Sequence, residues 1–403
     1  MMSFASKQLV TTLAHKGVVD VTSREELARC VHWAHAFASK RKDHRYYEIV
    51  EATILQGFEY RYFAIKDQGG EVRAVQPFFI HDQDLLEGVG RGGRLIVACI
   101  RRAWPRFMRT RALMVGCAAG EGHLDDPDGM PPEWPVRLLA STLVRHARQL
   151  GAPLVVLKEF PAQYRAALQC FLEHGFTLIP SMPMTKLNID YPSFDEYMKR
   201  ALNSATRTKL RRKFRAAARG APIDMSVVTD ITPFLDEVYP LYLQVYERSK
   251  FHFEKLSKGY LSQLGRLMPD KVRYFVWRQN ARIVAFTLCM TEGDAIYAEY
   301  IGLDYSVALE LHLYHYAVRD MITWSIANGY KSFHSSGLNY DPKLHLRHLL
   351  DPVDLYVRHT SRISNALLKW ALPLMEPTRH DQTLKKFSNY NELWGTHGRP
   401  RRH

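Results

Sequence analysis

The sequence predicts an α/β protein built of two similar halves, each a mixed sheet flanked by helices. Two observations carry this reading. A pair of β-rich runs around a polar turn occurs twice, beginning at Arg61-Tyr62-Phe63 and again at Arg273-Tyr274-Phe275. Each pair is followed by an apolar helical segment ending on glycine and then by a short strand.

Taken in order, the first hairpin turns at Asp67-Gln68-Gly69-Gly70, and the second turns at Arg278-Gln279-Asn280. A helix over 135–150 stops at Gly151 before the strand Leu154-Val155-Val156-Leu157, and one over 309–328 stops at Gly329 before Lys331-Ser332-Phe333-His334. A second helix and a last strand follow in each half. The first half has 161–174 with Gly175-Phe176, and the second has 342–349 with the strand 353–358. The expected division is a first domain over 1–190 carrying an insert at 91–133, a basic interdomain helix over 191–222, a second domain over 223–362, and a terminal helix with a basic tail over 363–403. Residues 363–375 carry Leu367, Leu368, Trp370, Ala371 and Leu372 before Pro373, an apolar helical stretch that packs, dimerises or touches a membrane.

Composition narrows the function. The 403 residues are 46% hydrophobic and 24% charged, which excludes wholesale disorder and a peptide scaffold held by staples. Cys30, Cys99, Cys117, Cys170 and Cys289 form neither a disulfide framework nor a CxxC knuckle, and read as free thiols of a cytoplasmic protein. No stretch approaches the roughly 18 uninterrupted apolar residues of a membrane span, and the amino-terminal residues lack the apolar core of an export signal.

The net charge of +14 sits in patches. Residues 199–219 hold nine cations and no acid, 100–114 five arginines, and 398–403 three more, leaving the rest of the chain slightly acidic. The run 199–219 consists of helix formers, with Leu210 and Phe214 as its apolar positions, so a helix with a cationic face is expected. Its partner would be the phosphates of a cofactor, of tRNA or of lipid head groups; the plain alternative is a solvated face.

The runs LNSATRTKLRRK (202–213), YAEYIGLDY (297–305), SSGLNYDPKL (335–344) and LYVRH (355–359) resemble the GNAT superfamily of N-acyltransferases. More narrowly, they are similar to the tandem branch that joins the BioF2-like acetyltransferase domain to FemAB-type aminoacyltransferases. The likeness is best over 192–375 and topological over the first half. It implies tandem GNAT-like domains, the second catalytic and the first degenerate. It also implies an acyl donor, acyl-CoA or acetyl-CoA, an amine acceptor in a small molecule, lipid or peptide, and no metal.

The stretch 304–310 has no glycine where many GNAT enzymes carry an RxxGxG-type phosphate loop, although the amides from Ser306 on could serve an anion. A FemAB-type transferase using aminoacyl-tRNA is the first alternative. A non-catalytic module that binds RNA or an anionic membrane surface is the second.

Acyl transfer to an amine needs a base, a group that polarises the donor carbonyl, and an acid for the leaving atom. The resemblance places the donor carbonyl on the backbone of Tyr300, Ile301 and Gly302, where Gly302 would permit close approach. Glu299, facing opposite to Ala298 and Tyr300 in an alternating strand, would be the base. Asp304 and Asn339 would meet the acceptor, Asp304 alternatively capping a helix. Tyr340 would be the acid. Ser306, Lys343, Arg211 and Arg212 would contact phosphate. Each has a plainer reading as a solvent-facing carboxylate, an ordinary strand end, a structural tyrosine or surface cations. In the insert, 95–100 beside Arg101, Arg102, Trp104, Arg106 and Arg109 reads as a strand with a cationic edge or as a membrane-surface segment. His123 with Asp125, Asp126 and Asp128 can be drawn as a metal cluster, though without persuasive spacing.

Overall fold

A computed structural model describes residues 17–84, 109–126, 133–218, 220–249, 252–374 and 376–395. The apolar and arginine-rich stretch of the insert (95–106), Cys99, Asp128 and the tail 398–403 lie outside the described residues. The chain forms two units, one of residues 1–181 with 353–376 and one of residues 182–352 with 377–403. Helices of six residues or more are numbered.

The first unit is built on a seven-stranded sheet of order β1-β2-β3-β4-β5-β14-β6. Strands β1 (Val18–Thr22), β2 (Phe58–Lys66), β3 (Val72–Asp84) and β4 (Arg109–Val115) form an antiparallel meander. The β2–β3 turn closes where expected, Asp67 accepting the amides of Gly69 and Glu71 and Gly70 adopting φ +82°. Helix α1 (His44–Thr53) precedes β2. Helix α2 (Glu133–Gln149) carries β4 over to β5 (Leu154–Pro161), which therefore runs parallel to β4. Its Val136, Leu139, Leu143 and Ala147 share one face and enter the core with Phe63, Phe78, Leu113 and Val155. Helix α3 (Arg165–Glu173) leads to β6 (Thr177–Pro180).

The second unit repeats this plan in a seven-stranded sheet of order β8-β9-β10-β11-β12-β7-β13. Its members are β7 (Met184–Asn188), β8 (Ile223–Val228), β9 (Val272–Gln279), β10 (Arg282–Glu292), β11 (Ala295–Leu303), β12 (Ser332–Ser335) and β13 (Leu349–Asp351). The β9–β10 turn is the two-residue pair Asn280-Ala281, both left-handed, beginning two positions later than the expected turn at Arg278. Helices α4 (Phe194–Ala201), α5 (Ser204–Ala217), α6 (Leu235–Arg248), α7 (Lys258–Leu267), α8 (Leu313–Ala327) and α9 (Tyr340–His345) belong to this unit. The α8 crossover makes β12 parallel to β11. The basic run is thus not one helix. Leu202 turns extended and the Asn203 side chain accepts the Thr206 amide, so a new helix starts at Ser204.

The closing strands are exchanged. The segment 353–358, read from sequence as the last strand of the second half, is β14 (Val353–His359) and pairs antiparallel with β5 and β6 of the first sheet. Conversely β7, which follows β6 directly, pairs antiparallel with β12 and β13 of the second. The first unit therefore ends at residue 181 and resumes at 353, where a single division near Tyr191-Pro192 was expected. Strand alternation is identical in both placements, so the sequence pattern does not distinguish them. A buried ion pair holds β14 in place: Arg165 Nε and Nη2 donate to both oxygens of Asp354 at 2.6 and 2.9 Å.

Asp354→Ala leaves the Arg165 guanidinium, about a quarter exposed, without its carboxylate. The loss should be about 2–4 kcal/mol of stability, at the lower part of the range for breaking a buried pair because water reaches the arginine. Urea denaturation of the two chains measures it.

Candidate functional site

The second sheet opens at its centre. β11 pairs with β12 from Ala295–Ser332 to Ala298–Ser335 and no further, while its pairing with β10 continues to Leu303. At the point of divergence the β10–β11 register jumps from Leu288–Tyr300 to Cys289–Ala298, so Glu299 is the extra residue of a β-bulge. Simple alternation, which put Ala298 and Tyr300 on one face and Glu299 on the other, does not hold. Ile296, Ala298, Ile301 and Leu303 pack into one core, whereas Tyr300 and Gly302 meet elements on the opposite face. The half-buried Glu299 sits where the face changes; burial first, and then the nearby Glu299, push the Cys289 thiol up.

Tyr300 donates its hydroxyl to Glu254 Oε1 at 2.7 Å and stands edge-on to Tyr260. Gly302 has no room for a side chain: a Cβ would run into the Phe286 ring and lie 2.7 Å from the Tyr242 amide nitrogen. The close approach that Gly302 permits is thus that of α6 to its own sheet. Ile301 packs partly into the core.

Beyond β12 the chain makes a tight loop before α9. Leu338 and Asn339 both adopt left-handed backbone angles, at φ +71° and +47°, a strained conformation for Leu. Lys343, 5% exposed, reaches back and donates to the carbonyls of Ser336 at 2.5 Å and Leu338 at 2.9 Å. Burial pushes its pKa down to about 7. No carboxylate pairs with it among the described residues, and an ammonium has three donors, so one N–H is left after these two bonds.

Tyr340 is buried with Leu350, Leu384, Phe387, Tyr390 and Trp394, and donates to the Pro183 carbonyl at 2.7 Å. Its proton is held by the backbone. Asn339 is exposed and makes no cap bond. Beside this loop His334 stacks on Tyr297, and His348 is enclosed with both ring nitrogens unpartnered and its pKa pushed down to about 3, by burial first and then by Lys343 and His334.

Asp304 and Ser306 are committed locally. Asp304 is buried, pairs with Arg282, and accepts both the amide and the hydroxyl of Ser306 at 3.0 and 2.6 Å. The Tyr305 amide donates to Gln244, and those of Val307 and Ala308 to the Asp304 carbonyl. This turn delays α8 to Leu313, where the sequence suggested 309, and consumes the amides from 305 to 308 that an anion would use. Of its two expected uses, Asp304 makes the cap-like bonds.

Arg211 and Arg212 are exposed on α5, whose Leu210 and Ala217 are buried. Between α5 and α8 the structure assembles a cationic cluster that the sequence reading missed. Lys213 Nζ lies 2.8 Å from His315 Nε2. Burial, then Lys213, His312 and His345, push His315 down to about 4, so it is a neutral acceptor for the lysine near neutral pH. Burial and the neighbouring cations also lower Lys213 and His312. Among the described residues none of Lys209, Arg211, Arg212, Lys213 or Arg215 forms an ion pair. The His312-x-x-His315 spacing was visible, but its meeting with a residue 102 positions away was not.

The candidate metal cluster in the first unit is an ion-pair network. Glu121 joins Arg41, Lys42 at 2.6 Å and His123 at 3.0 Å, while Asp125 accepts His32 and the amides of Phe37 and Val75. Among the described residues no group of His, Cys, Asp and Glu is arranged to hold a metal ion. Cys30, Cys117, Cys170 and Cys289 are free thiols. No helix among the described residues is long and apolar enough to cross a membrane.

The depressed histidines set a sign for acid stability. His348 and His315 have folded pKa values near 3 and 4 against 6.5 unfolded, so the unfolded chain binds protons first as pH falls. Stability should decline from pH 6.5 towards 4. In His348→Leu the slope should be shallower by about 1.4 kcal/mol per pH unit, read from urea midpoints.

Comparison with known proteins supplies the family. Among solved structures the chain is similar to FemX, at 12% identity, covering 77% of this chain and 90% of that one with a TM-score of 0.49. It is similar to L-PGS from Bacillus licheniformis at 14% identity, 83% and 96% coverage and a TM-score of 0.49. For a tandem GNAT protein from the clavulanic acid biosynthesis pathway the values are 10%, 85% and 99%, and 0.46. No curated protein matches. The FemAB-like family model, described as peptidoglycan biosynthesis/recognition, matches residues 136–345, just over half of the chain, with β4's neighbour β5, the basic helix, β11 and Lys343 inside the match. The chain belongs to the FemAB-like family.

Proposed function

We propose that the chain is an N-acyltransferase that moves an acyl group from an activated, phosphate-bearing donor to an amine, with chemistry at the opening between β11 and β12. The observation that carries the reading is the conjunction at that opening: diverging parallel strands, a bulged glutamate at the fork, and a buried lysine with one donor to spare. Diverging strands present backbone edge to a donor carbonyl along Tyr300 to Gly302, and Glu299 takes the proton from the attacking ammonium. Lys343 in its charged form meets donor phosphate. Tyr340 has to exchange the Pro183 carbonyl for the leaving atom to act as the acid, and Asn339 is exposed for the acceptor.

An acyl-thioester such as acyl-CoA is the proposed donor, with Arg211, Arg212 and the Lys213–His315 cluster contacting its phosphates. One observation favours aminoacyl-tRNA instead: the amides from 305 to 308, which would cradle a pyrophosphate, are spent inside the chain, while the exposed cations of α5 suit an extended polyanion. Titrations with acyl-CoA and aminoacyl-tRNA at two salt concentrations separate the donors. Acyl-CoA binding that varies with chain length supports the first; salt-steep tRNA binding without response to coenzyme A replaces it with the second. Salt-steep binding without any acyl turnover would leave only an anion-binding module.

Two variants test the residues. Because Lys343 discharges near pH 7 and the charged form is the one required, kcat/KM should fall as pH rises through about 7. Lys343→Arg, which stays charged, should lack that limb. Tyr340→Phe should lower kcat and spare donor binding. Unchanged turnover removes Tyr340 as the acid and leaves it as the residue that pins the loop to Pro183.

A further inference from the structure

Helix α10 (Arg362–Ala371), in the first unit, leaves its apolar face uncovered among the described residues. Ile363, Leu367, Trp370 and Leu374 are 79, 66, 74 and 54% exposed. The spacing of four and three residues aligns Ile363, Leu367 and Trp370 in one stripe of α10 about 10 Å long, and Leu374 follows in the 3-10 turn Leu372–Leu374. Large apolar side chains standing singly on a surface need no explanation, but a run of them along one helix does.

Between the buried Asp354 and the buried Glu376 the chain carries cations only. Residues 355–375 contain Arg358, Arg362 and Lys369 and no acidic residue. Arg148 joins them at the start of the helix, donating to the Thr360 carbonyl at 2.6 Å. Arg358 feels both neighbours: burial first, then Arg148 and Arg362, push its guanidinium down. Among the described residues none of these four cations forms an ion pair. Arg148, Arg358 and Arg362 gather at a helix amino terminus, whose dipole already repels positive charge and where Ser361 provides no side-chain cap, while Lys369 stands in the last turn. An anionic partner relieves all three features together.

We propose that α10 docks the protein on an anionic phospholipid bilayer, lying in the interface with the Ile363–Leu367–Trp370–Leu374 stripe among the acyl chains and Arg148, Arg358, Arg362 and Lys369 at the phosphates. Tryptophan on the apolar face and lysine or arginine beside it are the composition that such in-plane helices require. A second copy of the chain fits less well, since pairing the two stripes brings the same cations together with no carboxylate between them. The inference goes beyond the acyltransferase reading and does not depend on it, because lipid binding is read without turnover.

The test is flotation of the full chain with vesicles of phosphatidylcholine alone and of equimolar phosphatidylcholine and phosphatidylglycerol, at low and high salt. The chain should float only with the anionic vesicles and mainly at low salt. Leu367→Gln/Trp370→Gln should weaken binding at least about tenfold. Arg362→Gln/Lys369→Gln should weaken it by about fivefold per cation removed. Thermal unfolding should be unchanged in both, as the replaced side chains are exposed. Should either variant fold poorly, brominated lipids provide the second measurement, quenching the wild-type tryptophan emission more than that of Trp370→Phe. No binding of the wild-type chain to anionic vesicles overturns the proposal, as does binding indifferent to these substitutions. A wild-type dimer that dissociates in Leu367→Gln/Trp370→Gln also overturns it and assigns the face to a second copy.

Discussion

Each of the two sheets depends on a strand contributed by the other half of the sequence. β14 fills the gap between β5 and β6, and β7 fills the corresponding gap between β12 and β13. Neither gap can stay empty, because the flanking strands would present unpaired amides and carbonyls in the middle of a sheet. The Arg165–Asp354 pair shows how strongly the first exchange is fixed: an aspartate with no exposure is tolerated only because a guanidinium meets both of its oxygens. The duplication evident in the sequence is therefore not two independent beads. Each unit is complete only when residues more than a hundred positions away in sequence have been delivered to it.

The same topology positions the chemistry. A helical crossover places β12 parallel to β11, and the pair separates after four residues because β12 ends in a loop that α9 turns back. That loop carries the strain of a left-handed leucine, on the order of 1–3 kcal/mol. The Lys343 side chain fixes the loop in that conformation by donating to two of its carbonyls. One buried cation thus shapes the loop and, in the proposed function, meets the donor. Asp304 does the reverse on the other side of the opening, drawing the turn amides to itself and leaving anion binding to the cations of α5 and α8.

Charge is divided by solvation. Where acids are buried, as at Glu121 and Asp125, several donors converge on each. Where cations are in excess, on α5 and at the start of α10, they stand near or at the surface without carboxylates. Buried excess charge is costly, as the lowered pKa of Lys343 shows, whereas exposed excess costs little and is available to a partner. Both patches lie outside the packed cores, so they constrain binding more than folding.

The α/β class, the duplicated hairpins and the glycine-terminated helices were legible because they rest on local physics: period-two and period-3.6 hydrophobicity, turn residues and left-handed glycines such as Gly151 and Gly329. The basic run and the apolar stretch at 363–375 were legible as composition. What only tertiary structure decided is pairing between distant residues. Alternation in Val353–His359 is satisfied in either sheet, so the exchange could not be read from it. The bulge at Glu299 depends on how β10 lies against β11, which reversed the facing that alternation assigned. The Lys213–His315 contact joins helices a hundred residues apart, and the burial that lowers Lys343 exists only once α9 has folded back onto the loop after β12. Sequence determines which surfaces a segment offers; the fold determines which of them meet, because that choice is set by competition among all segments at once.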